Sequence, residues 1–138
     1  PEPDIFRRRY CYQILQQLDI EAMRKAAAYI VGTHDFKCFQ AAGGEEKETT
    51  VRTIYRLDID RRGDDVVIEI SGDGFLYNMV RIITGTLVEV GLGRRRPQEL
   101  AGILASRDRQ QAGHTAPAAG LYLVEVYYDE QRQTEAER

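Results

Sequence analysis

Phe75-Leu76-Tyr77-Asn78-Met79-Val80-Arg81-Ile82-Ile83-Thr84-Gly85-Thr86-Leu87-Val88-Glu89-Val90 is the most apolar stretch of the chain, entered through Gly72-Asp73-Gly74. Wound at the helical period, apolar side chains cover most of its circumference, and only Asn78, Arg81 and Glu89 strongly interrupt them. A helix apolar on nearly every side must be covered on nearly every side, so Phe75 to Val90 reads as a buried central helix. Gly85 costs such a helix about 1 kcal/mol relative to alanine, and close packing against another element is the expected compensation.

What covers this helix is legible on either side of it. Upstream, Tyr55, Leu57 and Ile59 alternate within a strand from about Thr50 to Asp60 and share one side. Arg62-Gly63-Asp64 supplies a turn, and Val66, Ile68 and Ile70 return in a second strand, giving an antiparallel hairpin. Tyr10, Tyr12 and Ile14 alternate in a further strand from Arg8 to Leu15. Asp19 is placed to N-cap a helix reaching about Val31, with Ile20, Met23, Ala27 and Ile30 on one stripe and Gly32 as the stop. Gly32 to Lys47 has no periodicity and reads as a long connection. Downstream, Pro97 opens a short helix to about Ser106, Arg107 to Ala119 is a loop, and Leu121 to Tyr128 is a last strand. The sum is an α+β domain over residues 1–130, about four mainly antiparallel strands with helices packed on them, followed by a polar tail at 131–138.

Composition narrows the function classes. A chain of 138 residues, 43% hydrophobic and 30% charged, has the make-up of one soluble globular domain. No apolar run approaches the roughly 20 residues of a membrane span, so no membrane partner is expected. Cys11 and Cys38 have no close partner, and with His34 and His114 scattered no metal-ligand pattern assembles; the thiols read as reduced, which favours the cytoplasm. The net charge of −3 argues mildly against nucleic acid, but Arg7-Arg8-Arg9, Arg94-Arg95-Arg96 and the pair Arg107 and Arg109 concentrate positive charge. Those arginines read equally well as solvated surface.

Arg81 is harder to place in a core. A guanidinium within an apolar helix is costly unless it meets a carboxylate, a phosphate or carbonyl groups. Either it emerges on a solvent stripe, or Glu89 or Asp73 satisfies it, or its planar fork orients an anion for chemistry.

The run Gly74-Phe75-Leu76-Tyr77-Asn78-Met79-Val80-Arg81, continued by Ile82-Ile83-Thr84-Gly85-Thr86-Leu87 and Glu89-Val90-Gly91, resembles the signature helix of TruA-type tRNA pseudouridine synthases. Asp108-Arg109, Ala112-Gly113, Thr115-Ala116-Pro117-Ala118 and Gly120-Leu121-Tyr122-Leu123 match a second block of that family. Gly32-Thr33-His34-Asp35-Phe36 with Phe39, and Val51-Arg52-Thr53-Ile54, are similar to further blocks, in family order and spanning Arg9 to Tyr128.

The resemblance implies half of the pseudouridine synthase catalytic fold. The implied activity is isomerisation of uridine to pseudouridine in the tRNA anticodon stem-loop, at positions thirty-eight to forty, without metal or organic cofactor. The family's nucleophilic aspartate sits in an Arg-Thr-Asp-x-Gly-Val-His type motif of the first half, and no such motif occurs here. The chain therefore reads as the C-terminal half, a piece inactive alone, with tRNA, the N-terminal half of the same enzyme and a second copy in a homodimer as expected partners. By the same resemblance Arg81 pairs with the absent aspartate, and Tyr10, preferred to its neighbour Tyr12, is the active-site tyrosine. Arg7, Arg8, Arg9, Arg52 and Asn78 are the candidate substrate-binding residues. His34 and Asp35 are expected to cap a helix or pin the loop rather than act in catalysis, and His114 to lie on a loop surface. The family's passage between tyrosine strand and first helix is longer than Gln16-Gln17-Leu18 allows, so contacts made by that passage are not carried over. The rival readings are a non-catalytic module for structured RNA and a dimerisation domain.

Overall fold

The computed structural model describes residues 5–13, 17–43 and 49–126. Five strands, β1 (Ile5–Gln13), β2 (Gly32–Asp35), β3 (Val51–Arg62), β4 (Asp65–Gly72) and β5 (Leu121–Val126), form one sheet in the order β2-β3-β4-β1-β5. Every neighbouring pair is antiparallel. Among the described residues three α-helices, α1 (Ile20–Ala28), α2 (Met79–Gly91) and α3 (Glu99–Ser106), complete an α+β fold as expected. Among the described residues no helix is long and apolar enough to cross a membrane. The polar tail, Ile14 and Leu15 of the first strand, Gln16 of the passage to Asp19, and Tyr128 lie outside the described residues.

The hairpin of β3 and β4 turns through Gly63-Asp64, with Gly63 at φ +63°, the positive φ that two-residue hairpin turns favour. Its apolar side differs from expectation at one residue. Register passes from Ile54 opposite Gly72 directly to Arg56 opposite Ser71, so Tyr55 is an extra residue in a β-bulge. The bulge reverses the alternation: Ile54, Leu57 and Ile59 are buried and Tyr55 is 41% exposed. A fifth strand, β2, also lies where a long connection was expected. Its four residues have no apolar alternation, and pairing with Val51 to Ile54 holds them extended. Asp35 Oδ1 accepts from Lys37 N (3.1 Å) and Thr50 Oγ1 (2.6 Å), pinning the loop that follows.

Helix α1 starts where Asp19 predicts, with Oδ1 accepting from Ala22 N at 3.0 Å. Asp19→Ala should cost about 1 kcal/mol, read as a lower urea midpoint at unchanged slope. Met23, Ala26 and Ala27 bury the inner face of α1, Ile30 is buried in the turn just past its end, and Asp19 N donates to Gly91 O (2.9 Å), joining the start of α1 to the end of α2. α2 is enclosed as its composition requires: eleven of its residues are buried. It begins at Met79 rather than Phe75, because Asn78 adopts the left-handed conformation (φ 57°) and residues 73–78 form a loop and turn.

Candidate active site

Strand alternation divides the Arg7-Arg8-Arg9 run between the two faces of the sheet. Arg7 and Arg9 turn to one face, where both donate to Glu69 of β4, Arg9 at 2.9 Å. Burial pushes the Glu69 carboxyl up, but these two arginines outweigh it and hold it below the usual range. Arg8 turns to the other face with its guanidinium 5.3 Å from the Phe75 ring centre. Tyr10 and Tyr12 share that face and stack at 6.0 Å.

Tyr10 is fully buried, and its hydroxyl donates to the Pro117 carbonyl at 2.5 Å. Burial first, then the neighbouring Tyr12, pushes its hydroxyl up to about 12 against the lowering effect of Arg81. The adjoining carbonyl, that of Ala116, accepts from Arg81 Nε at 2.7 Å, and Ala116 N donates back to Arg81 O at 3.0 Å. Two successive carbonyls of one loop thus hold the two sequence-expected catalytic side chains. Asn78 joins them, its Oδ1 accepting from an Arg81 terminal nitrogen at 3.3 Å.

Neither carboxylate considered for Arg81 reaches it. Glu89 accepts from Arg95 and His114, and Asp73 accepts from Thr53 N at 2.9 Å. Among the described residues the half-buried Arg81 guanidinium has only neutral oxygen partners.

Arg52 stands apart from this group. One of its terminal nitrogens donates to Thr49 O (2.8 Å) and Val51 O (2.7 Å). With Arg8, Phe6, Phe75 and Asp73 it lines an open groove of about 560 Å³. One arginine of each other basic cluster is drawn into structure, while Arg94, Arg96 and Arg107 stay exposed. Arg95 binds Glu89 and Gln111 O, while Arg109 binds Gly113 O and Thr115 Oγ1. The Ala116 and Pro117 carbonyls were missed from sequence, since backbone acceptors leave no mark in residue type; only their place in a matching block hinted at them.

A family model described as tRNA pseudouridine synthase matches residues 26–129. Among curated relatives, tRNA pseudouridine synthase A 2 of Clostridium tetani is 54% identical over 89% of this chain and 49% of its own length. The tRNA pseudouridine synthase A of Acetivibrio thermocellus is 53% identical over 91% of this chain and 51% of its own. That of Bacillus subtilis is 50% identical over 92% and 51%. The chain thus spans about half the length of the curated relatives it matches. With the family model matching residues 26–129 and relatives 54% and 53% identical over 89% and 91% of its length, this chain belongs to the tRNA pseudouridine synthase family.

Proposed function

We propose that this chain is the C-terminal part of a tRNA pseudouridine synthase, isomerising uridine to pseudouridine in the anticodon stem-loop at positions thirty-eight to forty. In this reading it works with an N-terminal half that brings the nucleophilic aspartate, as a cytoplasmic homodimer, and uses neither metal nor organic cofactor. The observation that carries the reading is Arg81, a half-buried guanidinium held by neutral oxygens alone among the described residues. A charge so placed favours an incoming carboxylate, and the carboxylate gains in turn, since a neighbouring cation keeps it ionised and oriented for attack.

Asn78 and the Ala116 carbonyl then act as the jig that aims the Arg81 fork. Tyr10, rather than Tyr12, is the active-site tyrosine of this reading, its ring buried and its hydroxyl held by Pro117 O, and the uracil must be extruded from the stem to reach the site at a cost of about a few kcal/mol. With its hydroxyl pushed up to about 12, Tyr10 keeps its proton through the neutral range and serves as a hydrogen-bond donor or a proton source, not as a resting base. The direct test is tritium release from uridine-labelled, unmodified tRNA. The complete enzyme should convert its target uridines and this chain alone should not. Conversion by the isolated chain at a comparable rate would sink the reading.

Phosphate contacts offset part of the extrusion cost. The groove between Arg8 and Arg52, with Phe6 and Phe75 beside them, supports RNA contact there, because it joins guanidinium and aromatic surface on the Tyr10 face of the sheet. Arg7 and Arg9 extend basic surface on the opposite face and contribute less, being committed to Glu69. Arg52→Ala should weaken tRNA binding several-fold and reduce the slope of log affinity against log salt by about 1. An unchanged slope would remove Arg52 from the phosphate contacts. The same groove favours the second reading, a non-catalytic RNA module, which requires tight, salt-sensitive tRNA binding by this chain alone.

A further inference from the structure

We propose that Glu89, two turns along α2 from Arg81, is a positioning residue for the Arg81–Tyr10 site, acting by hooking the 113–117 loop onto the helix. The inference rests on the function proposed above. Glu89 Oε2 accepts from both His114 N (2.8 Å) and His114 Nδ1 (2.6 Å), and Oε1 accepts from Arg95 Nε (2.8 Å). Arg95 in turn donates to Gln111 O at 2.8 Å. One turn nearer the site, Thr86 Oγ1 accepts from Gly113 N at 2.8 Å while donating to Ile82 O at 2.8 Å.

Through Gln111, Gly113 and His114 these bonds hold the stretch just before Ala116 and Pro117, whose carbonyls hold Arg81 Nε and the Tyr10 hydroxyl. The hook therefore fixes the height and rotation of two acceptors that it does not itself touch. Burial raises Glu89, but hydrogen bonds from Arg95 and His114 overcome it and hold the carboxyl at about 2, so the hook is charged throughout the neutral range. Facing a carboxylate, His114 carries its proton on Nδ1. Arg95 and His114 fork the two oxygens from opposite ends, an arrangement that resists rotation of the carboxylate better than one partner would.

A structural staple and a positioning residue differ in what their loss does. A staple lowers the folded fraction, whereas a positioning residue lowers turnover of enzyme that remains folded and still binds tRNA. Misplacement of a catalytic group by about 1 Å can cost on the order of 100-fold in rate. In the complete enzyme Glu89→Gln should therefore lower single-turnover kcat about 10-fold to 100-fold, with KM for tRNA within about 2-fold of wild type. Combined with Arg81→Lys, the two losses should fall well short of multiplying, because both act on one guanidinium.

His114 provides a check that does not depend on Glu89→Gln folding. His114→Asn places an amide N–H near the position of Nδ1–H and should keep most of the turnover, whereas His114→Ala should lose it in part. Equal turnover for the two His114 variants, or Glu89→Gln matching a wild type active on tRNA, overturns the inference and leaves the proposed function intact. Full multiplication of the Glu89 and Arg81 losses overturns it too. A wild-type complete enzyme inert on tRNA overturns the proposed function and this inference with it.

Discussion

Gly85→Ala is expected to be the most destabilising glycine-to-alanine change among the described residues, costing about 3 kcal/mol or more. A Cβ at Gly85 would overlap the His114 carbonyl oxygen and lie 2.8 Å from its carbon, both backbone atoms. Backbone cannot rotate aside as a side-chain tip can, and the His114 segment is held from three directions by Glu89, Thr86 and Arg81. Either α2 or the loop must retreat, opening core that is otherwise close-packed. Measured by urea unfolding, the loss should consume a large part of the 5–15 kcal/mol or so typical of a folded domain. Gly102→Ala is the matched control. Gly102 is exposed on α3 with nothing near its missing Cβ, and alanine there should stabilise by about 0.5–1 kcal/mol. Equal melting behaviour of the two variants would show that the loop does not lie on α2 as described.

Arg81→Ala should abolish most turnover of the complete enzyme, by on the order of 100-fold to 1,000-fold in kcat, the usual cost of removing one preorganised electrostatic group. The substitution also leaves Ala116 O and Asn78 Oδ1 short of a donor. Arg81→Lys is no conservative rescue. An ammonium is a single point of charge, and it cannot serve the Ala116 carbonyl, the Asn78 amide and an incoming carboxylate in one plane. The lysine variant should bind tRNA normally and turn over at least about 10-fold slower than wild type under single-turnover conditions. Wild-type turnover in either variant would remove Arg81 from the chemistry.

How far the molecule could be read from its residues depends on whether the controlling interaction is local. Asp19 announced its helix because capping involves atoms three residues apart, and the β3–β4 hairpin was legible from alternation around one glycine turn. The bulge at Tyr55 was not, since the pattern Tyr55, Leu57, Ile59 is indistinguishable from regular alternation until the partner strand sets the register. β2 escaped for a related reason: Thr33-His34-Asp35 is polar, and only pairing with β3 makes it a strand. Helix α2 was placed four residues too early, because Phe75 and Leu76 are as apolar as the helix proper and the left-handed Asn78 leaves no trace in hydropathy.

The site divides the same way. Arg81 stood out as a charge in an apolar run, and Tyr10 through its resemblance to a family motif, and the structure brings them to adjacent carbonyls. The arginine triplet looked like one basic patch in sequence, and only strand alternation shows that its members face opposite sides. His114 read as loop surface, and although its side chain is 45% exposed, its Nδ1 is anchored to Glu89.

The placement of β1 between β4 and β5 sets the order in which the molecule can be completed during synthesis. The Tyr10 to Pro117 hydrogen bond joins groups 107 residues apart, while the β3–β4 hairpin closes through two residues. At roughly 5–20 residues per second, a ribosome delivers the acceptor for Tyr10 on the order of 5–20 s after the tyrosine itself. For that interval an arginine-rich, aromatic strand waits with no neighbour on the β5 side. Its positive charge then acts as a gatekeeper, discouraging adhesion between nascent chains until the slow, long-range closure is made.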